Sequence, residues 1–226
     1  GLQLGVLLAR RLGRDGPLAK IAALRAAVDA VLADEIRERR ADPSVAERED
    51  ILSRLVVARF EDGSGMDDAE LRDQLMTLLV AGHETTATAL AWAFDLLLHH
   101  PAALARLRAE LEEGGDAYLR AVVSESLRLR PVVPLAGRRL GAELDVGGHV
   151  LPPGTDITPS IWLTNTRAAT YPEPYAFRPE RFLEDAPATY AWIPFGGGSR
   201  RCLGAAFAEF EMRIVLARVL SRCEMQ

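Results

Sequence analysis

The apolar positions of the chain fall first into helical periods. Leu18, Ile21, Leu24, Val28, Val31 and Leu32 recur at helical spacing with Arg and Asp between them. This predicts an amphipathic helix with Pro17 in its first turn, fading by Asp42-Pro43. A short helix is predicted from about Glu49 to Phe60, and a turn from Glu61 to Gly65. Asp67, with Glu70 three residues on, reads as a capping box opening a long proline-free helix toward His100. The middle of that helix, Leu75 to Ala93, is apolar on nearly every face apart from His83, Glu84 and several threonines. Such a helix is expected to be central and buried. Pro101 begins another helix, stopped at Gly114-Gly115. The next runs from Tyr118 to Arg130 and is ended by Pro131.

After Pro131 the pattern changes. Gly147-Gly148 between short apolar runs, from Leu144 to Leu151, is a hairpin signal. Pro152 to Ile193 is rich in Pro, Thr, Tyr and Arg and has little periodicity. It is long for a structureless loop, so packing or function is expected to order it. Leu203, Phe207, Phe210, Ile214 and Ala217 then predict a last amphipathic helix. The expected class is mainly α with a small β component. Its parts are a helical stretch 1–131, a hairpin and irregular stretch 132–195, and a glycine-rich loop with its helix, 196–226.

Composition narrows the function. Hydrophobic residues are 49% and charged residues 26% of 226, enough for a buried core. The net charge of −5 argues against broad nucleic-acid binding, which needs a basic face. Two cysteines, Cys202 and Cys223, are too few for a disulfide scaffold or a four-thiolate zinc site. No apolar run approaches transmembrane length, so no transmembrane segment is expected in this chain. Leu2 to Leu8 is short, and Arg10 and Arg11 follow it, the wrong order for a signal peptide. A cytoplasmic setting is expected. The chain starts at Gly1 without a Met and opens in mid-helix, so an upstream anchor is left open.

Three motifs carry chemistry. The first is Phe195-Gly-Gly-Gly-Ser-Arg-Arg-Cys-Leu-Gly204. Cys202 sits where a glycine-rich loop enters a helix, and helix N-terminal N–H groups favour an anion, here a thiolate. Arg200 and Arg201 add positive charge, and the glycines let the backbone approach something flat or bulky. The second is Ala81-Gly-His-Glu-Thr-Thr86, within the long helix. Glu and Thr are poor occupants of an apolar interior unless satisfied or used. Gly82, followed by Glu84 and Thr85, could open the helical ladder and offer an acid and a hydroxyl to a ligand. A threonine bonded back to its own helix is the structural alternative. The third is Glu125-Ser-Leu-Arg128, a pair on one helix face of a kind common on exposed helices. It is followed by Phe177-Arg-Pro-Glu-Arg-Phe182.

These motifs resemble, in order, those of the cytochrome P450 (haem-thiolate) family. The cysteine loop fills every fixed position of the family pattern, at Phe195, Gly198, Arg200, Cys202 and Gly204. The Ala81–Thr86 run is similar to the oxygen-side motif, and Arg181 would complete a Glu125–Arg128–Arg181 cluster that holds the cysteine loop. The resemblance implies a partial cytochrome P450 fold, covering the C-terminal half or so of a family member. It implies haem b (iron protoporphyrin IX) with Cys202 as axial iron ligand. Arg138 matches the position that binds a haem propionate, with Arg139 one residue of register away as its rival. The implied reaction hydroxylates a small apolar organic substrate with O2 as co-substrate. Two electrons come from a ferredoxin or flavoprotein reductase, ultimately from NAD(P)H. Thr85 would hydrogen-bond on the oxygen side and Glu84 would relay protons. Leu75, Leu79, Val80 and Val132 to Ala136 would line part of the substrate pocket. The alternative is a non-catalytic fragment with the motifs but impaired or absent haem and substrate binding. His83 falls at a variable motif position, His99 and His100 at a helix end, and His149 in the hairpin. Cys223 is expected to be a packed free thiol.

Overall fold

Side-chain caps at Asp50, Asp67 and Ser160 open three of the helices. The computed structural model describes residues 17–184 and 187–225. The expectations for Leu2 to Leu8, Arg10 and Arg11, and for the mid-helix opening, lie outside them. Two compact units divide at Gly1–Ala81 and Gly82–Gln226.

In the first unit, α1 spans Pro17–Ala41 and α2 spans Ile51–Val57, joined by a 3-10 turn at Val45–Glu47. The Asp50 carboxylate caps α2 by accepting from the Ser53 N–H at 3.0 Å. Asp50 also accepts from Arg39 and Arg48. The amide and hydroxyl of Ser53, with these arginines, hold its carboxyl below the usual carboxylate range. The expected capping box forms in full. The Asp67 N–H donates to Glu70 Oε2 at 2.9 Å, and the Glu70 N–H donates to Asp67 Oδ1 at 2.8 Å. It opens α3, Asp68–His99. Arg40 at the end of α1 bonds Asp68 and the Met66 carbonyl. A small core of Ile36, Val56 and Leu71 seals this unit.

One expectation fails here. The Leu18 side chain lies outside those described; of the rest of the predicted α1 stripe only Leu32 is buried, while Ile21, Leu24, Val28 and Val31 are exposed. The buried anchor is Ile36, one turn beyond Leu32 on the same face. It was overlooked because charged residues flank it from Asp34 to Arg40.

In the second unit, the end of α3 packs with α4 (Pro101–Glu112), α5 (Ala117–Leu129) and α8 (Ala205–Leu220). Ala89, Ala93, Leu97, Leu107, Val122, Met212 and Leu216 lie at the centre of this core. Pro101 takes the first turn of α4, where its missing N–H is no loss. Gly114, at φ +77°, ends α4 in the left-handed region that favours glycine.

The β component is two antiparallel pairs. Strands β2 (Leu144–Val146) and β3 (His149–Leu151) form the expected hairpin, with Asp145 opposite Val150. Gly147 and Gly148 both have positive φ, as a tight primed turn requires. Strands β1 (Arg138–Arg139) and β4 (Asp156–Ile157) form the other pair. Residues 152–184 follow, with short helices α6 (Ile161–Asn165) and α7 (Arg181–Glu184).

Two helices bury less than their sequences predicted. From Leu75 to Ala93, α3 is not enclosed. Leu79 and Val80 are 55% and 67% exposed, and burial follows the stripe Thr86, Ala89, Ala93, Leu96 and Leu97. Of the apolar set predicted for the last helix, Ala217 packs against the core, but Leu203, just ahead of α8, is 94% exposed and Phe207 60%. Phe210 and Ile214 are exposed as well, and the helix instead buries Ala205, Met212, Leu216 and Leu220. Both helices carry more than one apolar stripe, and periodicity alone cannot say which stripe docks. Cys223 is exposed, not packed, because α8 ends at Leu220 and the chain after it runs along the surface.

Candidate active site

The site is built outward from a buried ion cluster. Glu125 and Arg128, three apart on α5, are both 0% exposed. Arg128 donates to both Glu125 oxygens, through Nε at 2.6 Å and Nη2 at 2.8 Å. Arg181 adds a bond to Glu125 Oε1 at 3.1 Å. The structure thus brings together all three residues that the sequence placed in the cluster. The guanidinium ends then reach the irregular stretch. Arg128 donates to the carbonyls of Asn165, Pro174 and Ala176, and Arg181 to that of Pro172. Arg128 also lies over the Tyr171 ring at 4.9 Å, and the Tyr171 hydroxyl donates to the Ala191 carbonyl at 3.0 Å. These bonds tie residues 165–176 and Ala191 in place without any periodic pattern.

The stretch delivers the cysteine loop. Trp192 donates its indole N–H to the Ser124 carbonyl on α5 and packs edge-on against Phe195, centroids 6.1 Å apart. The Phe195 carbonyl accepts from the Cys202 N–H at 2.9 Å, which closes the loop. Gly196 and Gly198 have φ of +71° and +66°, a backbone only glycine adopts readily. A 3-10 turn at Gly198–Arg200 carries Arg200, which is exposed beside Arg201. Gly204 caps α8, so the exposed Cys202 sits just before a helix of four turns, where an anion is favoured. On α8, burial pushes the Glu209 carboxyl up, opposed by Arg201 and Arg213.

On α3, the helix runs unbroken through Ala81 to Thr86. The expected opening of the ladder at Gly82 is not observed, because one glycine costs a helix only about 1 kcal/mol and does not force it apart. Ala81, Gly82, His83 and Glu84 are exposed, Thr85 is half-buried and Thr86 is buried. On β1, Arg139 is committed to Asp156 by two bonds of 2.8 Å. Its neighbour Arg138 points to the other side of the strand. Arg138 donates to the Gly137 carbonyl and has no carboxylate partner among the described residues. His99 and His100 bond carbonyls of their own helix end, at Asp95 and Leu96. A cleft of about 490 Å³, lined in part by His100, Arg106, Tyr118 and Glu180, contains none of Cys202, Arg200, Arg138, Gly82, Glu84 and Thr85.

The residues present fit a haem. No group of three or more His, Cys, Asp or Glu that could hold a bare ion occurs among the described residues. A single exposed thiol suits a metal whose other ligands come from a macrocycle. Glycine in mid-helix costs about 1 kcal/mol relative to alanine. Yet a Cβ at Gly82 or Gly204 would meet nothing within 4 Å in this chain, so neither glycine serves internal packing.

Comparison with known proteins agrees. Residues 15–226 match the cytochrome P450 family model. The chain is 53% identical over 197 residues to "Putative cytochrome P450 137" of Mycobacterium tuberculosis, covering 87% of this chain and 41% of that protein. It is 49% identical over 203 residues to "Putative cytochrome P450 135B1" of the same species, covering 87% and 43%. Among solved structures, the retinoic acid-bound cyanobacterial CYP120A1 superposes with a TM-score of 0.80 at 34% identity, over 92% of this chain and 51% of that one. CYP102L1 gives a TM-score of 0.79 at 29% identity, over 96% and 53%. The chain belongs to the cytochrome P450 family, which implies haem, and it spans about half the length of these relatives. Among the described residues, no helix is long and apolar enough to cross a membrane.

The sequence reading missed three residues that build the site: Asn165, Tyr171 and Trp192. The polar pair Thr164-Asn165 closing the apolar run Ile161-Trp-Leu is the available signal for the first.

Proposed function

We propose that this chain carries the haem-binding and oxygen-side residues of a haem-thiolate monooxygenase that hydroxylates an apolar organic substrate. The observation that supports it best is the buried Glu125–Arg128–Arg181 cluster. Its bonds run through 165–193 to a loop that presents Cys202 as a lone, exposed thiol. Bound at Cys202, haem b supplies the iron that accepts electrons and activates oxygen, and thiolate donation favours O–O cleavage. Every other role falls to the chain. Cys202 offers its sulfur ahead of α8, whose N-terminus favours the thiolate. Arg138 presents a fork of donors matched to a propionate carboxylate, while Arg139 is taken up by Asp156. Gly82 and Ala81 keep the α3 surface low beside Thr85. The Thr85 hydroxyl donates on the oxygen side, and the exposed Glu84 carboxylate exchanges protons with water.

Exposed apolar side chains at Val133 and Leu135 agree with an apolar substrate, as does the retinoic acid held by the similar CYP120A1. The two electrons come from a ferredoxin or flavoprotein reductase, with NAD(P)H as their ultimate source. The open apolar face of α8 at Phe207, Phe210 and Ile214, with Leu203 just ahead of it, favours a second reading in which the chain alone binds haem poorly. Titration of the chain with haem b separates the two. Saturable one-to-one binding that Cys202→Ala abolishes supports the enzyme reading. Binding that is absent, or indifferent to Cys202, defeats it.

A further inference from the structure

Asn165 ends α6 and is wholly buried. Its side-chain Oδ1 accepts from the Ile193 N–H at 3.1 Å. That bond fixes the orientation of the amide, since the opposite flip would set an NH2 against an N–H donor. So oriented, Nδ2 is buried without a partner among the described residues. A buried, unpaired donor is a cost that an apolar side chain of similar size, such as leucine, would avoid. Filling space therefore does not explain asparagine here. Accepting the Ile193 N–H does, because leucine cannot.

The two ends of Asn165 face different parts of the site. Its backbone carbonyl is held by Arg128 Nη1 at 2.9 Å. Its side chain holds Ile193, whose own carbonyl accepts from the Gly196 N–H at 2.9 Å, the first turn of the cysteine loop. Two residues beyond Ile193, the Phe195 carbonyl accepts from the Cys202 N–H. The bonds form one continuous path from the buried arginine to the cysteine.

The geometry points to Asn165 as the positioning residue that passes the hold of Arg128 to the Cys202 loop. Its importance for haem rests on the function proposed above, but the hold itself is a property of the polypeptide and is measured without haem. Amide hydrogen exchange on the full chain, as wild type, Asn165→Leu and Asn165→Asp, tests it. Leucine removes the acceptor, so the Ile193, Gly196 and Cys202 amides should exchange about tenfold faster, with Val122 and Val123 in α5 changed by less than about twofold. Aspartate keeps an acceptor oxygen, so its rates at the three loop amides should stay close to wild type. Three results would overturn the proposal. They are unchanged loop rates with leucine, loss of protection as large in α5 as in the loop (global unfolding included), or loop rates with aspartate as fast as with leucine. Failure of haem binding would leave each of these results readable, so the two proposals fail separately.

Discussion

Arg128 grips both oxygens of Glu125 in a fork of 2.6 and 2.8 Å bonds, with neither side chain exposed to solvent. Removing one member of such a pair leaves the other as an uncompensated buried charge, at a cost of about 3–5 kcal/mol. Glu125→Gln is therefore expected to destabilise the chain by about 3 kcal/mol or more, read from urea unfolding. Arg128→Lys should be nearly as damaging. An ammonium cannot reach Glu125 and the carbonyls of Asn165, Pro174 and Ala176 together. A loss below about 0.5 kcal/mol, the size of an ordinary surface substitution, would contradict the role given to the pair.

The two neighbouring arginines of β1 should behave differently. Arg138→Ala is expected to weaken haem b binding about tenfold, the loss of one charge-assisted bond. Arg139→Ala should leave haem affinity nearly unchanged and loosen only the β1–β4 pairing, because its guanidinium is spent on Asp156. Absorbance titration of both variants with haem decides it. Equal losses, or the reverse order, would reassign the propionate contact.

Glu209 sets a pH dependence whose sign follows from burial. Desolvation raises its carboxyl above the usual range in the folded state, against the pull of Arg201 and Arg213. Between the unfolded and folded values the native state binds more protons, so this group makes stability fall as pH rises through that window. Glu209→Gln should therefore be more stable than wild type near neutral pH, and the advantage should vanish in acid below the ordinary carboxylate range. Unfolding curves of the two proteins across pH test this. A glutamine variant that is less stable at neutral pH would show that the arginines outweigh burial.

Thr85 is half-buried on an unbroken α3, next to the exposed Glu84. In the proposed enzyme, Thr85→Ala should preserve haem binding and the thiolate spectrum, yet divert reducing equivalents from product to hydrogen peroxide. Comparing peroxide formed with NAD(P)H consumed gives the answer. An unchanged ratio would remove Thr85 from the oxygen side.

Local chemistry was the legible part of this fold. The Asp67–Glu70 capping box, the Gly147-Gly148 hairpin and the Pro101 helix start each depend on a few adjacent residues, and each appears as expected. The cluster of Glu125, Arg128 and Arg181 was legible only through family resemblance, since its members lie as far as 56 positions apart. Burial was less legible. Helices α3 and α8 are apolar on several sides, so period gave the helix but not the docking face, and Leu203 and Phe207 were assigned to the wrong one. Asn165 stayed hidden because its importance lies in a bond to Ile193, 28 positions away in an aperiodic stretch.

In the proposed function, Cys202 holds haem iron through its sulfur. The most direct measurement is the carbon monoxide difference spectrum of the reduced, haem-loaded chain. A strongly red-shifted Soret band, the mark of thiolate ligation, is expected for the wild type and should be absent in Cys202→Ala. A wild-type band typical of histidine-bound or free haem, or a red-shifted band that survives Cys202→Ala, would show that Cys202 is not the iron ligand.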